Sequence, residues 1–481
     1  MNKESKDQID IRKEKLESFK DAGVETYPTS YSLKIDAAEA LTKDEGDKVS
    51  VAGRIMSRRV MGGSAFCHIK DCTGKIQFYI RKDKVGRERY SFFKQLDIGD
   101  FVGVKGELFL TNTGEKTVLA SDMEFLGKSL RPLPEKWHKL QDTETRYRKR
   151  YLDILVNKES SDLLKIRSRT ISKIRNILEA RKFIEVETPI LQSIPGGAAA
   201  RPFKTHHNTF DEDLFLRIAP ELYLKRLLVG GWDRVFEIGR NFRNEGISTR
   251  HNPEFTMMEV YAAYTDYTFM MELSKKIISG VGEMIKKEGY EPSVDLIKGW
   301  KKENIWELMS KYTGMDFDPG DSFEELKKKA EKLDVPPGKD SPEKVADRIF
   351  SKYVEPKLVS PTIVTGYLTK VSPLAKSSPD DERIAERFEI FIGGQEIGNA
   401  YSEQNDPDIQ RDMFLNQLNE KADEEEFSDI SKIDEDYIEA LEYGMPPASG
   451  LGIGIDRLIM LLTGAESIRE VILFPMLKPL K

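Results

Sequence analysis

The chain has 481 residues, 33% charged and 39% hydrophobic, with 75 basic against 82 acidic side chains and a formal charge of −7. That length calls for two or three cores rather than one, which argues against a lone small binding module. No apolar run approaches the ~18 residues of a membrane span, and the negative balance argues against a general polyanion binder while leaving room for a local basic face.

Residues 1–20 mix acids with bases and lack an apolar signal core, so a cytoplasmic location is expected. Their sparse apolar positions, Ile9, Leu16 and Phe19, predict an exposed helix packed on its neighbour. Five β-type runs follow between 49 and 126: VSVAGRIM, AFCHIKD, KIQFYI, DFVGVKGELFL and TVLASDMEFL. Turn sequences such as Met61-Gly62-Gly63-Ser64 and Asn112-Thr113-Gly114 separate them, and the pattern predicts a small five-stranded barrel. Phe66, Phe78 and Tyr79 with Arg58, Arg59 and Gln77 suit an oligonucleotide surface, and the same pattern suits a purely structural barrel. Cys67 and Cys72 have only His68 nearby, too few ligands for structural zinc, so strand packing is expected of them.

The stretch RPLPEKWHKLQDTETRYRKRYLDIL, prolines followed by a basic run from Arg146 to Arg150, reads as a linker with a boundary near 138–145, which divides the chain into 1–140 and 141–481. Beyond it Leu163, Ile166, Ile174, Ile177 and Leu178 fall at helical spacing behind the capping candidates Ser160, Ser161 and Asp162. They predict an amphipathic helix to about Lys182, then a strand FIEVETPI stopped by Pro189. Strand patterns recur at 214–218, 234–243, 255–261, 362–368, 388–392 and 396–402, mostly as adjacent pairs, with helical stretches such as 321–333 between. The fold class read from this is α+β, a largely antiparallel sheet with helices. The acidic run Asp423 to Glu426 reads as a solvated helix face.

Chemistry concentrates in three places. In RVFEIGRNFRNEG, alternation puts Phe236, Ile238 and Phe242 on one face and turns Arg243 and Glu245 to the other. The returning strand gathers Phe255, Met257, Glu259 and Tyr261 on a single face across the loop 246–254. A solvated face seldom interleaves aromatic, thioether and ionised groups in this way, so a ligand floor is expected. In GLGIGIDRLIMLL, Gly450, Gly452 and Gly454 permit close approach to the backbone, and Arg457 enters the following helix.

In FEIFIGGQEIGNAYSEQND a hairpin turning at Gly393-Gly394 sets Asn399, Tyr401 and Glu403 on one face. A carboxylate buried unpaired costs several kcal/mol, so a substrate without a terminal cation should be rejected by ~10⁴. Alternation puts Glu396 on the face opposite Asn399 unless a bulge or strand end intervenes. No P-loop pattern occurs, and His206-His207 lacks the further ligands of a catalytic metal.

The stretch from Arg234 to Tyr264 resembles motif 2 of the class II aminoacyl-tRNA synthetases, and GLGIGIDRL resembles motif 3. More weakly, the helix 159–182 with FIEVETPIL and Pro189 resembles motif 1, where relatives build a dimer interface. GGAAARPF, RIAPELYLKR, SPLAK and EIGNAYSEQND are similar to the lysyl-tRNA synthetases, over nearly the whole chain.

This resemblance implies an OB-type anticodon-binding barrel followed by a class II catalytic domain. It also implies a homodimer without membrane attachment, with L-lysine, ATP and tRNA(Lys) as partners and Mg2+ as cofactor. The residues follow by the same likeness. Arg243 would hold the α-phosphate and the amino-acid carboxylate, with Arg457 beside the nucleotide. Phe255 would stack on adenine, and Glu245, His251 and Asn252 would complete the ATP site. Glu403 and Tyr261 would meet the ε-ammonium, and Glu221 and Gly197 the α-amino group. Glu259, Asn399 and Tyr401 would shape the pocket, Tyr401 standing where relatives often have Phe.

Glu389 and Glu396 would hold Mg2+, a hard cation suited to carboxylate oxygen. Arg59, Phe66, Gln77 and Glu115 would read the anticodon. The implied reaction needs no side-chain nucleophile: the lysine carboxylate attacks the α-phosphorus, and a tRNA 3′-terminal hydroxyl then attacks the adenylate. An aspartyl or asparaginyl enzyme would want a basic group where Glu403 stands, a protein-lysylating paralogue would lack the barrel, and an inactive relative would have lost some of these residues.

Overall fold

The computed structural model describes residues 3–32, 35–134, 140–198, 200–336, 341–421 and 433–480; the acidic run Asp423–Glu426 lies outside them. The chain divides into two compact units, Met1–Gln141 and Asp142–Lys481. Among the described residues no helix is long and apolar enough to cross a membrane.

In the first unit the Lys3–Asp21 helix buries Ile9, Leu16 and Phe19. Phe19 meets Phe92 and Phe125 edge to face, at 4.8 and 5.6 Å between centroids, the arrangement ring quadrupoles favour. The five predicted strands are present as β1 (Lys48–Met61), β2 (Ser64–Lys70), β3 (Lys75–Arg81), β4 (Phe101–Leu110) and β5 (Lys116–Gly127). They close in the order β1-β2-β3-β5-β4. Period-2 alternation fills the interior with Ala65, Cys67, Ile69, Ile76, Phe78 and Ile80 and turns Phe66, His68, Gln77 and Tyr79 outward. Arg58, expected on the oligonucleotide surface, does something else. Its guanidinium donates to the carbonyls of Phe93, Lys94 and Leu96 at 3.0, 3.0 and 2.6 Å, satisfying the end of the Arg87–Gln95 helix.

The basic run Arg146–Arg150 is not a solvated linker. It forms two short helices, Thr143–Arg148 and Arg150–Val156. Arg150 is 1% exposed, paired with Asp153 at 2.7 Å and donating to the carbonyls of Leu473 and Arg469. A buried guanidinium needs this many acceptors, and Asp153 with three nearby carbonyls supplies them. The long helix starts earlier than predicted, at Lys158, and ends at Glu179. Ser160 is not its cap, because its hydroxyl donates to Asp153 and accepts from Arg146, both at 3.0 Å.

In the second unit the strands are β6 (Ile184–Glu185), β7 (Leu191–Gln192), β8 (Lys204–His207), β9 (Glu212–Leu216), β10 (Arg234–Phe242) and β11 (Glu254–Ala263). They continue as β12 (Lys301–Asn304), β13 (Thr362–Thr365), β14 (Arg387–Ile392), β15 (Gln395–Ser402) and β16 (Ala448–Gly454). FIEVETPI contributes only the two residues of β6, since Pro189 has no amide to continue a ladder. The main sheet runs β12-β13-β14-β15-β16-β11-β10-β6. It is antiparallel from β13 to β10, with parallel pairs at its two edges. β8 and β12, polar short strands absent from the sequence reading, are at or near sheet edges.

One face of the sheet carries Phe236, Met258, Val260, Leu451, Ile453 and Ile390 and packs on the Lys158–Glu179, Tyr267–Lys287 and Ile455–Thr463 helices. A buried network pins those layers together. Asp456 accepts from the backbone N–H of Thr256 at 2.7 Å and from Arg167, and Arg167 also donates to Thr256 Oγ1 at 2.9 Å. Replacing Arg167 with Met should cost about 3–5 kcal/mol, because Asp456 would remain buried without its counter-charge. Urea unfolding measures this, and an unchanged midpoint would contradict the role given to the pair.

Candidate active site

The opposite face of the sheet is the floor of a cleft of about 460 Å³. Register defines it row by row. Glu259 lies opposite Gly452, which lies opposite Asn399, and Tyr261, Gly450 and Tyr401 form the next row. The glycines of β16 keep the middle of the floor low. A Cβ on Gly450 would stand 2.2 Å from Glu403 Oε1 and 2.5 Å from the Tyr261 ring.

At one end stand the groups expected for a nucleotide. The Arg243 guanidinium lies 5.1 Å from the centroid of Phe255, and its buried Nε has no partner. Burial lowers the Arg243 pKa, yet guanidinium remains charged in any protein setting. Arg457 donates to the Glu396 carbonyl at 2.9 Å and its carboxylate at 3.3 Å. It also faces His251 Nε2 at 3.3 Å. Since Arg has no acceptor, His251 accepts through Nε2, which leaves Nδ1 to donate to Ser248 Oγ at 3.0 Å. Burial, then Arg457, lowers the His251 pKa, which favours the neutral ring. Glu245 lines the same cleft. Asn252 donates to the Glu254 carbonyl at 2.6 Å while its Oδ1 is buried and unpartnered.

The hairpin turns at Gly393-Gly394, with φ of 64° and 71°. Its register shifts so that Ile390 opposes Gly398 while Phe391 opposes Glu396, leaving Ile397 as the extra residue of a bulge. The bulge brings Glu396 onto the Asn399 side, where it lines the cleft. Glu389 sits opposite Asn399, and both its oxygens are engaged, Oε1 by Arg387 at 2.6 Å and Oε2 by the Tyr367 hydroxyl at 2.9 Å. Burial raises its pKa to about 7 against the pull of Arg387, with Glu396 adding to the rise. Among the described residues no cluster of three or more metal-ligating side chains exists.

At the other end three buried carboxylates converge, Glu221 and Glu259 lining the cleft and Glu403 lying against Gly450 of its floor. Glu259 accepts from the Tyr261 hydroxyl at 3.0 Å, and burial followed by the charge of Glu221 pushes its pKa up to about 8. Glu221 opens the Glu221–Val229 helix and accepts from the Tyr401 hydroxyl at 2.6 Å. Gly197, held at φ +83°, packs against it. Glu403 is 1% exposed and is not the unpaired carboxylate the sequence suggested. Lys225, fully buried, forms an ion pair with Oε2 of Glu403; among the described residues neither Glu403 oxygen has a hydrogen-bond partner, and Oε1 has no ion pair either. Lys225 escaped the sequence reading although Glu221-x-x-x-Lys225 is an i,i+4 pair amid Leu222, Leu224 and Leu228. Arg387, which donates to Asn399 Oδ1 at 3.1 Å, was missed as well.

In the barrel Phe66 stacks on Tyr79 at 4.4 Å and 21°, with Arg59 opposite Phe66 in the ladder. Gln77 donates to Glu115 at 2.9 Å and accepts from Thr117 at 2.8 Å. His68, considered in the sequence only for metal, bonds Glu115 at 2.7 Å.

Comparison with known proteins agrees with this geometry. The family described as tRNA synthetases class II (D, K and N) matches residues 142–478, and an OB-fold nucleic acid binding domain matches 49–126. The lysine–tRNA ligase of Pelotomaculum thermopropionicum is 52% identical over 98% of this chain and 94% of its own. That of Carboxydothermus hydrogenoformans is 49% identical over 98% of both, and that of Listeria monocytogenes 46% identical over 99% and 98%. Fold and site thus define a class II aminoacyl-tRNA synthetase. The chain belongs to the lysine–tRNA ligase family within that class, enzymes that use ATP with a divalent cation.

Gly450→Ala should therefore lower amino-acid-dependent pyrophosphate exchange by ~10–100-fold through overpacking against Glu403 and Tyr261. Exchange kinetics beside a thermal melt measure it, and wild-type activity in the variant would contradict the packing described.

Proposed function

We propose that the cleft performs the family reaction on L-lysine, ATP and tRNA(Lys), with Arg243, Phe255 and Arg457 at the nucleotide end and Glu221, Glu259 and Glu403 at the amino-acid end. The observation that carries this reading is that two buried carboxylates, Glu221 and Glu259, line one end of a cleft, with buried Glu403 against Gly450 of its floor, while the other end presents two guanidinium groups and an aromatic ring. An acidic substrate would meet repulsion there, while one with two ammonium groups supplies the missing charge.

Lysine lies with its α-ammonium toward Glu221 and Gly197 and its ε-ammonium toward Glu403 and Tyr261. Asn399 and Tyr401 form the wall. The α-carboxylate then points to Arg243, which also meets the α-phosphate, so the two reacting groups share one cation and lose their mutual repulsion. Phe255 stacks on adenine, Arg457 lies over the nucleotide from the far side, and Glu245, His251 and Asn252 border the phosphates. Neutral His251 donates or accepts a hydrogen bond there without adding charge. The carboxylate attacks the α-phosphorus in line and pyrophosphate departs. The same groups hold the adenylate while a ribose hydroxyl of the tRNA end attacks it.

Glu396, open on the cleft and brought there by the bulge, together with Glu389 fits the oxygen donor set of Mg2+, which takes one or two carboxylates beside phosphate oxygens and water. Bound there it would neutralise charge on the phosphates. The first unit reads the anticodon: Phe66 offers a stacking face, and Arg59, Gln77 and Glu115 offer hydrogen bonds to base edges. The enzyme works in the cytoplasm as a homodimer.

Glu403→Gln removes the acceptor charge for the ε-ammonium and should raise the lysine KM by ~10²-fold or more, with the ATP KM little changed. Steady-state exchange separates the two, and an unaltered lysine KM would sink the assignment. A pH dependence follows from Glu259. Its carboxyl retains its proton below about pH 8 in the empty site, and a bound ammonium favours the ionised form. Lysine affinity should therefore rise as pH increases toward 8 and level off above it. Calorimetry in two buffers of different ionisation enthalpy measures the accompanying proton release below pH 8, and its absence would contradict this account.

A further inference from the structure

Lys225 is completely buried and is spent on two carboxylates at once. Its Nζ lies 2.7 Å from Glu221 Oε1 and forms an ion pair with Glu403 Oε2. Tyr401 reinforces the arrangement. Its ring centroid is 5.5 Å from Nζ, and its hydroxyl donates to the same Glu221 Oε1. Burial alone would lower the Lys225 pKa, but Glu221 and Glu403 outweigh it and hold the ammonium charged. Each carboxylate is thereby divided between its two oxygens. Glu221 Oε1 is saturated, and Oε2 lies toward Gly197 of the cleft, 3.6 Å from where a Cβ there would stand. Glu403 Oε2 is ion-paired to Lys225, and Oε1, with neither ion pair nor hydrogen bond, lies over Gly450, 2.2 Å from where its Cβ would stand.

A buried ion pair is a weak source of stability, and replacing both partners with apolar side chains of similar volume is commonly neutral. The charge at Lys225 therefore asks for another role. Glu221, Glu259 and Glu403 are 4%, 5% and 1% exposed. With all three ionised, as a bound cation favours, one internal ammonium leaves two charges unmatched, the number a diamino acid brings.

We propose that Lys225 is a positioning residue for amino-acid selection: it clamps Glu221 and Glu403 at a set separation and leaves one oxygen of each for the two ammonium groups of the substrate. The inference rests on the reading of the cleft given above. With the clamp in place, a diamino acid long enough to reach both oxygens satisfies both, and one a methylene shorter leaves a buried carboxylate unpaired. Without it, the two carboxylates repel each other and the spacing is lost.

The test is pyrophosphate exchange with lysine and with ornithine, one methylene shorter, on full-length wild type, Lys225→Met, Lys225→Arg and Tyr401→Phe, each with an ATP KM and a thermal midpoint. Lys225→Met should raise the lysine KM at least ~30-fold and reduce the lysine-over-ornithine preference in kcat/KM at least ~10-fold, leaving the ATP KM within about twofold. Lys225→Arg, which keeps the charge on a bulkier fork, should recover part of the lysine KM and still shift the preference. Tyr401→Phe removes one donor but keeps the clamp, so its preference should fall by less, ~3-fold. A preference unchanged in folded Lys225→Met overturns the proposal. If that variant does not fold, an unchanged preference in Lys225→Arg overturns it. Wild type without lysine-dependent exchange would fail the reading of the cleft instead, a separate result.

Discussion

Burying a carboxylate without a partner costs several kcal/mol, and three carboxylates, Glu221, Glu259 and Glu403, are buried together at and beside one end of this cleft. A protein can tolerate that only by supplying counter-charge, by taking up protons, or by binding a cation. The protein's own groups provide the first two together. Lys225 is shared between Glu221 and Glu403, and Glu259 holds a proton up to about pH 8. A substrate with two ammonium groups completes the balance, so selectivity and the electrostatics of the pocket have the same origin.

The sheet makes this arrangement possible. Strict alternation gives β10, β11 and β16 one apolar face that the helices cover and one face that carries the chemistry. Glycines on β16 create the depth, and the bulge at Ile397 places Glu396 where an unbroken strand would not. Asp456, immediately before Arg457, is anchored to β11 and to the Lys158–Glu179 helix through Arg167. The position of a nucleotide-end arginine thus depends on the same packing that builds the core.

Much of this was legible in the sequence because it rests on local period. The five barrel runs, the floor formed by Phe255, Met257, Glu259 and Tyr261, the Gly393-Gly394 turn and the need for a bulge or strand end before Asn399 all follow from side-chain alternation. What was not legible depends on which charge finds which partner in space. Arg146–Arg150 read as a linker because burial against Asp153 and the carbonyls of Arg469 and Leu473 is invisible to pattern. Arg58 looked available for RNA until the carbonyls of the Arg87–Gln95 helix claimed it. Glu403 looked unpaired because Lys225 lies 178 positions away along the chain. The polar strand Lys301–Asn304 escaped notice because an edge strand needs little apolar signal.

The central claim, that the buried carboxylates select a diamino acid for activation by ATP, is tested most directly by pyrophosphate exchange with each of the twenty amino acids in turn. The account predicts exchange that depends on lysine and is negligible with amino acids carrying a single ammonium group. Robust exchange with aspartate, asparagine or an apolar amino acid, or none with any of the twenty, would contradict it.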